Sequence, residues 1–225
     1  NTPLSFNNYQ YRCVLSNTCV VPFFTSAATL TVQPAPVIAT QPSNLTICDF
    51  QTANFNVVAT GTGLNYQWQV NTGSGFSNIT NGGVYSTATT ATLTITGATI
   101  AMNGYQYQVV VSGASPCSSA TSSAVALTVN TAVAIGTQPA NATICINGSN
   151  TFSVAATGTG LSYQWELNTG SGYAAISGAN ASSYAVTGAT VGMNGYLYRV
   201  VVSGTAPCGP ITSNGATLTI SQVAA

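Results

Sequence analysis

The chain has 225 residues, 45% of them hydrophobic and only 2% charged, and its formal net charge is zero at neutral pH. That hydrophobic content excludes a disordered chain. Its 2 cations cannot neutralise a run of phosphates or hold an anionic lipid surface, so no nucleic-acid partner is expected. The apolar runs are of strand length and far short of a bilayer span, so no membrane insertion is expected either. With no initiator methionine and no apolar leader, the sequence is expected to begin inside a longer mature polypeptide.

The first predicted elements are two strands, in NYQYRCVLSNTC (Asn8–Cys19) and TSAATLTV (Thr25–Val32). After Gln33 a fuller set follows: TQPSNLTIC (Thr40–Cys48), NFNVVA (Asn54–Ala59), ATGTGLNYQW (Ala59–Trp68), TLTI (Thr92–Ile95) and MNGYQYQVVVSG (Met102–Gly113). After Asn130 the set recurs as TQPANATIC (Thr137–Cys145), ATGTGLSYQW (Ala156–Trp165) and MNGYLYRVVVSG (Met193–Gly204), with fewer residues between the middle strands of this copy. β-branched and aromatic residues alternate with polar ones, Gly, Asn and Pro punctuate every segment, and no window carries a helical pattern. A period this long marks an array of domains. The expected division is 1–33 (the last two strands of a domain lacking its front), 34–130 and 131–225. The linkers QPAP (Gln33–Pro36) and NTA (Asn130–Ala132) are short, and Pro34 and Pro36 stiffen the first, so hinge motion should be limited.

Several short strands per unit predict an all-β, two-sheet sandwich. Trp68 and Trp165 follow Val57 and Val154 at the interval expected between the second and third strands of an immunoglobulin domain, and Tyr107 and Tyr198 precede Val109 and Val200 as a tyrosine corner precedes the second core cysteine. In the first stretch Tyr11 stands in the same relation to Cys13. On these residues, the GTGL turn and the closing ATLTV or ATLTI strand, the chain resembles the bacterial immunoglobulin-like repeats of large secreted surface proteins and adhesins, especially those of Bacteroidota. The resemblance implies tandem sandwiches arranged end to end, with Val57 against Val109 and Val154 against Val200 in place of the inter-sheet disulfide.

The 6 cysteines are Cys13, Cys19, Cys48, Cys117, Cys145 and Cys208, and repeat-matched spacing argues for disulfides and an oxidising, extracellular compartment. A metal is not expected, since there is no His and no CxxC pair. In an immunoglobulin sandwich Cys48 and Cys117 would lie at opposite ends of their domain, as would Cys145 and Cys208, roughly 20 Å or more apart, while a disulfide needs Cα atoms within about 7 Å. A bond across the junction, Cys48 with Cys208, is one reading, under which Cys117 is expected to pair upstream and Cys145 downstream, outside these 225 residues. One bond per domain, Cys48 with Cys117 and Cys145 with Cys208, is the other, and spacing leaves both open.

Catalysis is not expected. Asp49 and Glu166 are the only acids, they fall in different copies opposite Ile146 and Gln69, and they read as solvated positions; without His or Lys, no Ser or Cys nucleophile has its base. The turns NTGSGF (Asn71–Phe76) and NTGSGY (Asn168–Tyr173) lack the lysine and helix of a phosphate loop and read as hairpins. No cofactor is implied. The partners implied are neighbouring immunoglobulin-like domains, further copies in a filament, and a surface glycan stacked on Phe76, Tyr85, Tyr105, Tyr173 or Tyr196 if these are exposed. A structural or adhesive stalk segment, secreted to the cell surface, is the expected role; a carbohydrate-binding or spacer module of a secreted multidomain enzyme is the alternative.

Overall fold

Alternation of large apolar and polar residues fixes which face of each strand is buried. In the computed structural model, which describes residues 2–221, the strand Gln106–Ser112 buries Tyr107, Val109 and Val111 completely while the residues between them stay half-buried or exposed. The described residues fall into two compact units that do not follow the sequence repeats. One comprises residues up to Leu45, Ala53–Thr96 and Tyr105–Ala126; the other comprises Thr46–Thr52, Gly97–Gly104 and the residues from Leu127 onward.

In the first unit Asn65–Asn71 is a central strand, paired antiparallel with Phe76–Asn78 and Gln106–Ser112, with Trp68 opposite Val109. A second sheet places Thr92–Ile95 between Tyr85–Ser86 and Ala53–Asn56, with Leu93 opposite Phe55. Trp68, Phe55, Tyr107 and Leu93 fill the space between the sheets; Phe55 stacks on Tyr107 with ring centroids 5.0 Å apart. The Trp68 indole N–H donates to the Thr90 carbonyl at 2.9 Å, so the largest side chain is buried without an orphaned donor.

The second unit repeats this plan. Ser162–Asn168 pairs with Tyr173–Ala175 and Leu197–Ser203, Asn150–Ser153 pairs with Ser183–Val186, and Phe152, Trp165, Tyr198, Val200 and Leu218 form the core. Ala142–Cys145 runs parallel to Ala216–Ser221, with Cys145 beside Ser221.

Two features depart from the sequence reading. A single 3-10 turn precedes each repeated strand pair, at Leu4–Phe6, Ile100–Met102 and Val191–Met193. The closing strand is also interrupted: the Val109 and Val200 backbone N–H groups donate to the Ser122 and Ser213 hydroxyls at 3.0 and 2.9 Å, so a side chain stands in for a ladder carbonyl and the strand breaks there. Residues 2–32 reproduce the same scheme. Cys13 N–H donates to Thr25 Oγ1 at 2.9 Å, Gln10–Tyr11 pairs with Ala28–Thr29, and Val14–Asn17 pairs with Val20–Phe24, giving four short strands where two were expected.

Candidate functional site: a disulfide-bonded junction

The Leu45–Cys48 strand lies beside Val125–Asn130 and carries Cys48 to the place where the chain leaves that strand. In the second unit Cys48 is bonded to Cys208, with Cα atoms 5.5 Å apart at a sequence separation of 160. Both cysteines are buried. The one-bond-per-domain reading is therefore overturned, and the strand register supplies the reason. Cys145 sits level with Ser221 at one end of its sheet, whereas Cys208 follows Ser203, whose partner Ser162 marks the opposite end. Cys145 is exposed and unbonded, Cys117 is half-buried and unbonded, and Cys13 and Cys19 are exposed and unbonded.

Hydrogen bonds tie down the residues around this bond. The Asp49 backbone N–H donates to the Asn130 carbonyl at 2.9 Å, the Asp49 carboxylate accepts from the Ala132 N–H at 2.8 Å, and the buried Asn130 side chain donates to the Ala206 carbonyl at 3.2 Å. Thr131 donates to Thr159 Oγ1 at 2.8 Å and accepts from the Thr159 N–H at 3.1 Å. Every residue of the NTA linker is thereby held. Val133 packs so closely over Gly158 and Gly204 that a Cβ on Gly204 would lie 2.7 Å from Val133 Cγ2 and one on Gly158 would lie 3.2 Å from Val133 Cα. Asp49 is thus a linker clamp, not a merely solvated turn residue.

Glu166 also departs from the solvated reading. Its carboxylate accepts from Arg199 Nε at 2.6 Å across the paired strands, and the Arg199 guanidinium lies 3.7 Å from the centre of the Tyr173 ring. At the same register position in the first unit, Gln108 Nε2 donates to Gln69 Oε1 at 2.7 Å. One cross-strand pair is ionic in one copy and an amide pair in the other. Both side chains of the ionic pair keep some solvent contact, so the pair contributes little net stability. Converting it with Glu166→Gln and Arg199→Gln together is expected to shift stability by less than about 1 kcal/mol in chemical denaturation. Glu166→Lys, which sets two cations opposite one another, is expected to lower it measurably.

The core residues named from sequence are all buried: Trp68, Trp165, Tyr107, Tyr198, Val57, Val109, Val154 and Val200. The Tyr107 hydroxyl meets the Tyr85 hydroxyl at 3.3 Å, and Tyr198 stacks between Phe152 and Tyr184. Burial, and for Tyr107 the bond to Tyr85, pushes both phenols above their ordinary pKa. A raised folded-state pKa means that above pH ~10 the unfolded chain has released these protons while the folded chain still holds them. Stability contributed below that pH is then lost as pH rises. Thermal melts should drop steeply above pH ~10.

The aromatic residues named as candidates for sugar stacking keep only part of their surface in solvent. Phe76, Tyr85, Tyr105, Tyr173 and Tyr196 are all half-buried, Tyr85 against Tyr107 and Tyr173 beneath Arg199. The exposed aromatic and aliphatic side chains gather instead at residues 4–24, including Leu4, Tyr11, Leu15 and Phe23. Tyr11 is 53% exposed and Leu15 is 58% exposed, whereas their counterparts Tyr107 and Val111 are fully buried. This patch occupies core positions of the repeat, so it reads as sheet face and not as a sugar platform. Among the described residues, no group of three or more His, Cys, Asp or Glu side chains could hold a metal ion. No described helix is long and apolar enough to cross a membrane.

Two sheets with a buried Trp on the central strand, antiparallel but for the parallel pairing of Ala142–Cys145 with the closing strand Ala216–Ser221, define an all-β, immunoglobulin-like sandwich. The comparisons with solved structures agree. The chain is similar to the I-band fragment I67-I69 from titin, at 15% identity and TM-score 0.65, covering 94% of this chain and 74% of that one. It is also similar to extracellular domains 3-5 of Drosophila OTK, at 17% identity and TM-score 0.61, covering 94% and 70%. Residues 134–222 match the model of a domain of unknown function, DUF8696. None of the curated proteins compared matches this chain.

Proposed function

We propose that this chain is a structural and adhesive repeat segment of a secreted, bacterial surface protein, a semi-rigid stalk or filament made of immunoglobulin-like domains at 34–130 and 131–225 preceded by the last strands of another at 1–33. One observation carries the reading: the Cys48–Cys208 bond, together with the clamped NTA linker, joins the first full sequence repeat to the second. A disulfide of this kind belongs to an oxidising, extracellular compartment. A spacer with few ionisable groups keeps its stability across salt and mild pH, as a surface stalk requires. No acid pair, His or Lys is available for catalysis, which favours a non-enzymatic role. The glycan-binding alternative finds no exposed platform among the residues named for it.

Small-angle scattering tests the proposal. The oxidised protein is expected to scatter as one extended particle with a defined maximum dimension, which broadens on reduction. A flexible-bead profile in the oxidised protein would overturn the stalk reading.

A further inference from the structure

The bonded pair has an unbonded counterpart of each of its halves. After Cys48 the chain turns through Phe50, at φ +63°; Gln51 N–H donates to the Cys48 carbonyl, Phe50 N–H to Ala98, and Ala98 N–H to Gln51. After Cys145 it turns through Asn147, at φ +65°, with Gly148 N–H donating to Cys145, Asn147 N–H to Ala189, and Ala189 N–H to Gly148. The two turns are the same structure, but Cys48 is bonded and buried while Cys145 is unbonded and exposed.

The other half matches as closely. Cys208 N–H donates to the Thr205 carbonyl, Thr205 N–H donates to Thr159, and the Cys208 sulfur lies 3.8 Å from the carbonyl oxygen of Asn130, the first residue of the linker. Cys117 N–H donates to Ala114, Ala114 N–H donates to Thr62, and the Cys117 sulfur lies 3.6 Å from the carbonyl oxygen of Gln33, which likewise opens its linker. Pro36 crosses Gly113 there as Val133 crosses Gly204. Gln33 Oε1 is buried with no hydrogen-bond partner among the described residues, a polar atom that a neighbouring strand would satisfy.

We propose that Cys145 and Cys117 are the two halves of this same bond, each completed by a cysteine of an adjoining repeat of the same type in the polypeptide. Cys145 takes the loop cysteine of a following repeat. Cys117 takes a strand-end cysteine of the repeat to which residues 2–32 belong, on a strand lying beside Leu30–Gln33 as Leu45–Cys48 lies beside Val125–Asn130. Each bond forms when two thiols give up two protons and two electrons to a disulfide-bearing oxidant, which is reduced to its dithiol. The inference rests on the stalk reading and extends it, making every junction covalent.

The test appends a second copy of residues 131–221, carrying Cys145→Ser within the appended copy alone, directly after Ser221, expressed in an oxidising compartment, with free thiols alkylated before non-reducing peptide mapping. The expected result is two cross-linked pairs, Cys145 with Cys208 and Cys48 with Cys208, which together require both copies of Cys208. Cys48–Cys208 present with Cys145 recovered alkylated overturns the inference and leaves the stalk reading standing; loss of both bonds overturns both. Maleimide labelling gives an independent readout. Cys145 should react without denaturant in the original chain and become at least tenfold less reactive in the extended one, and equal reactivity in both overturns the inference.

Discussion

Trp165→Ala is expected to cost about 3–5 kcal/mol, the usual penalty for emptying a fully buried aromatic site. Trp165 is 0% exposed, packs near Phe152 and Tyr184, and donates its indole N–H to the Ala181 carbonyl at 3.0 Å. Alanine removes the packing and leaves that carbonyl without its partner, so the two losses add. A single domain has about 5–15 kcal/mol to lose, so the repeat carrying the substitution should melt far earlier. Of the 2 tryptophans only Trp68 then remains, and its fluorescence reports the other core alone. Circular dichroism should show the early transition while Trp68 fluorescence does not. A melt unchanged within about 1 kcal/mol would contradict the core described here.

Cys208→Ser should cost about 2–4 kcal/mol, the range typical for removing a native disulfide. The bond closes a loop of 160 residues, long enough for the constraint on the unfolded chain to be near its largest. For a repeat of this size each kcal/mol corresponds to roughly 4–8 °C in Tm, so a fall of roughly 8–32 °C is expected by calorimetry. Reduction of the unaltered protein should reproduce it. Limited proteolysis adds the local signature: cleavage within Asn130–Ala132 should be slow in the oxidised protein, where the linker N–H groups of Thr131 and Ala132 are engaged, and faster in the variant.

The sandwich was legible because its signals are local and repeat. A Trp in YQW, a Tyr in NGYxY and alternating Val residues need only a strand period to be placed, and the copies corroborate one another. Pairing of the cysteines was legible only to the point of two alternatives, since sequence spacing does not say where strand ends meet. The register of Cys145 beside Ser221 decides between them.

The Glu166–Arg199 pair could have been found. Both residues replace glutamines of the first copy, Gln69 and Gln108, and a joint change from neutral to opposite charge is the mark of two side chains in contact. Glu166 set against Gln69 alone carries no such mark. The broken closing strand was not legible, because nothing local distinguishes a Ser whose hydroxyl takes a backbone N–H from one that faces water. Exposure of Tyr85 and Tyr173 was not legible either, because their rings meet Tyr107 and Arg199 from strands distant in sequence.

The central claim is that the first full repeat is covalently joined to the second through Cys48 and Cys208. Non-reducing peptide mass mapping of the protein from an oxidising compartment tests it directly. A cross-linked peptide pair containing Cys48 and Cys208 is the predicted result; peptides joining Cys145 to Cys208, or Cys48 to Cys117, would contradict it.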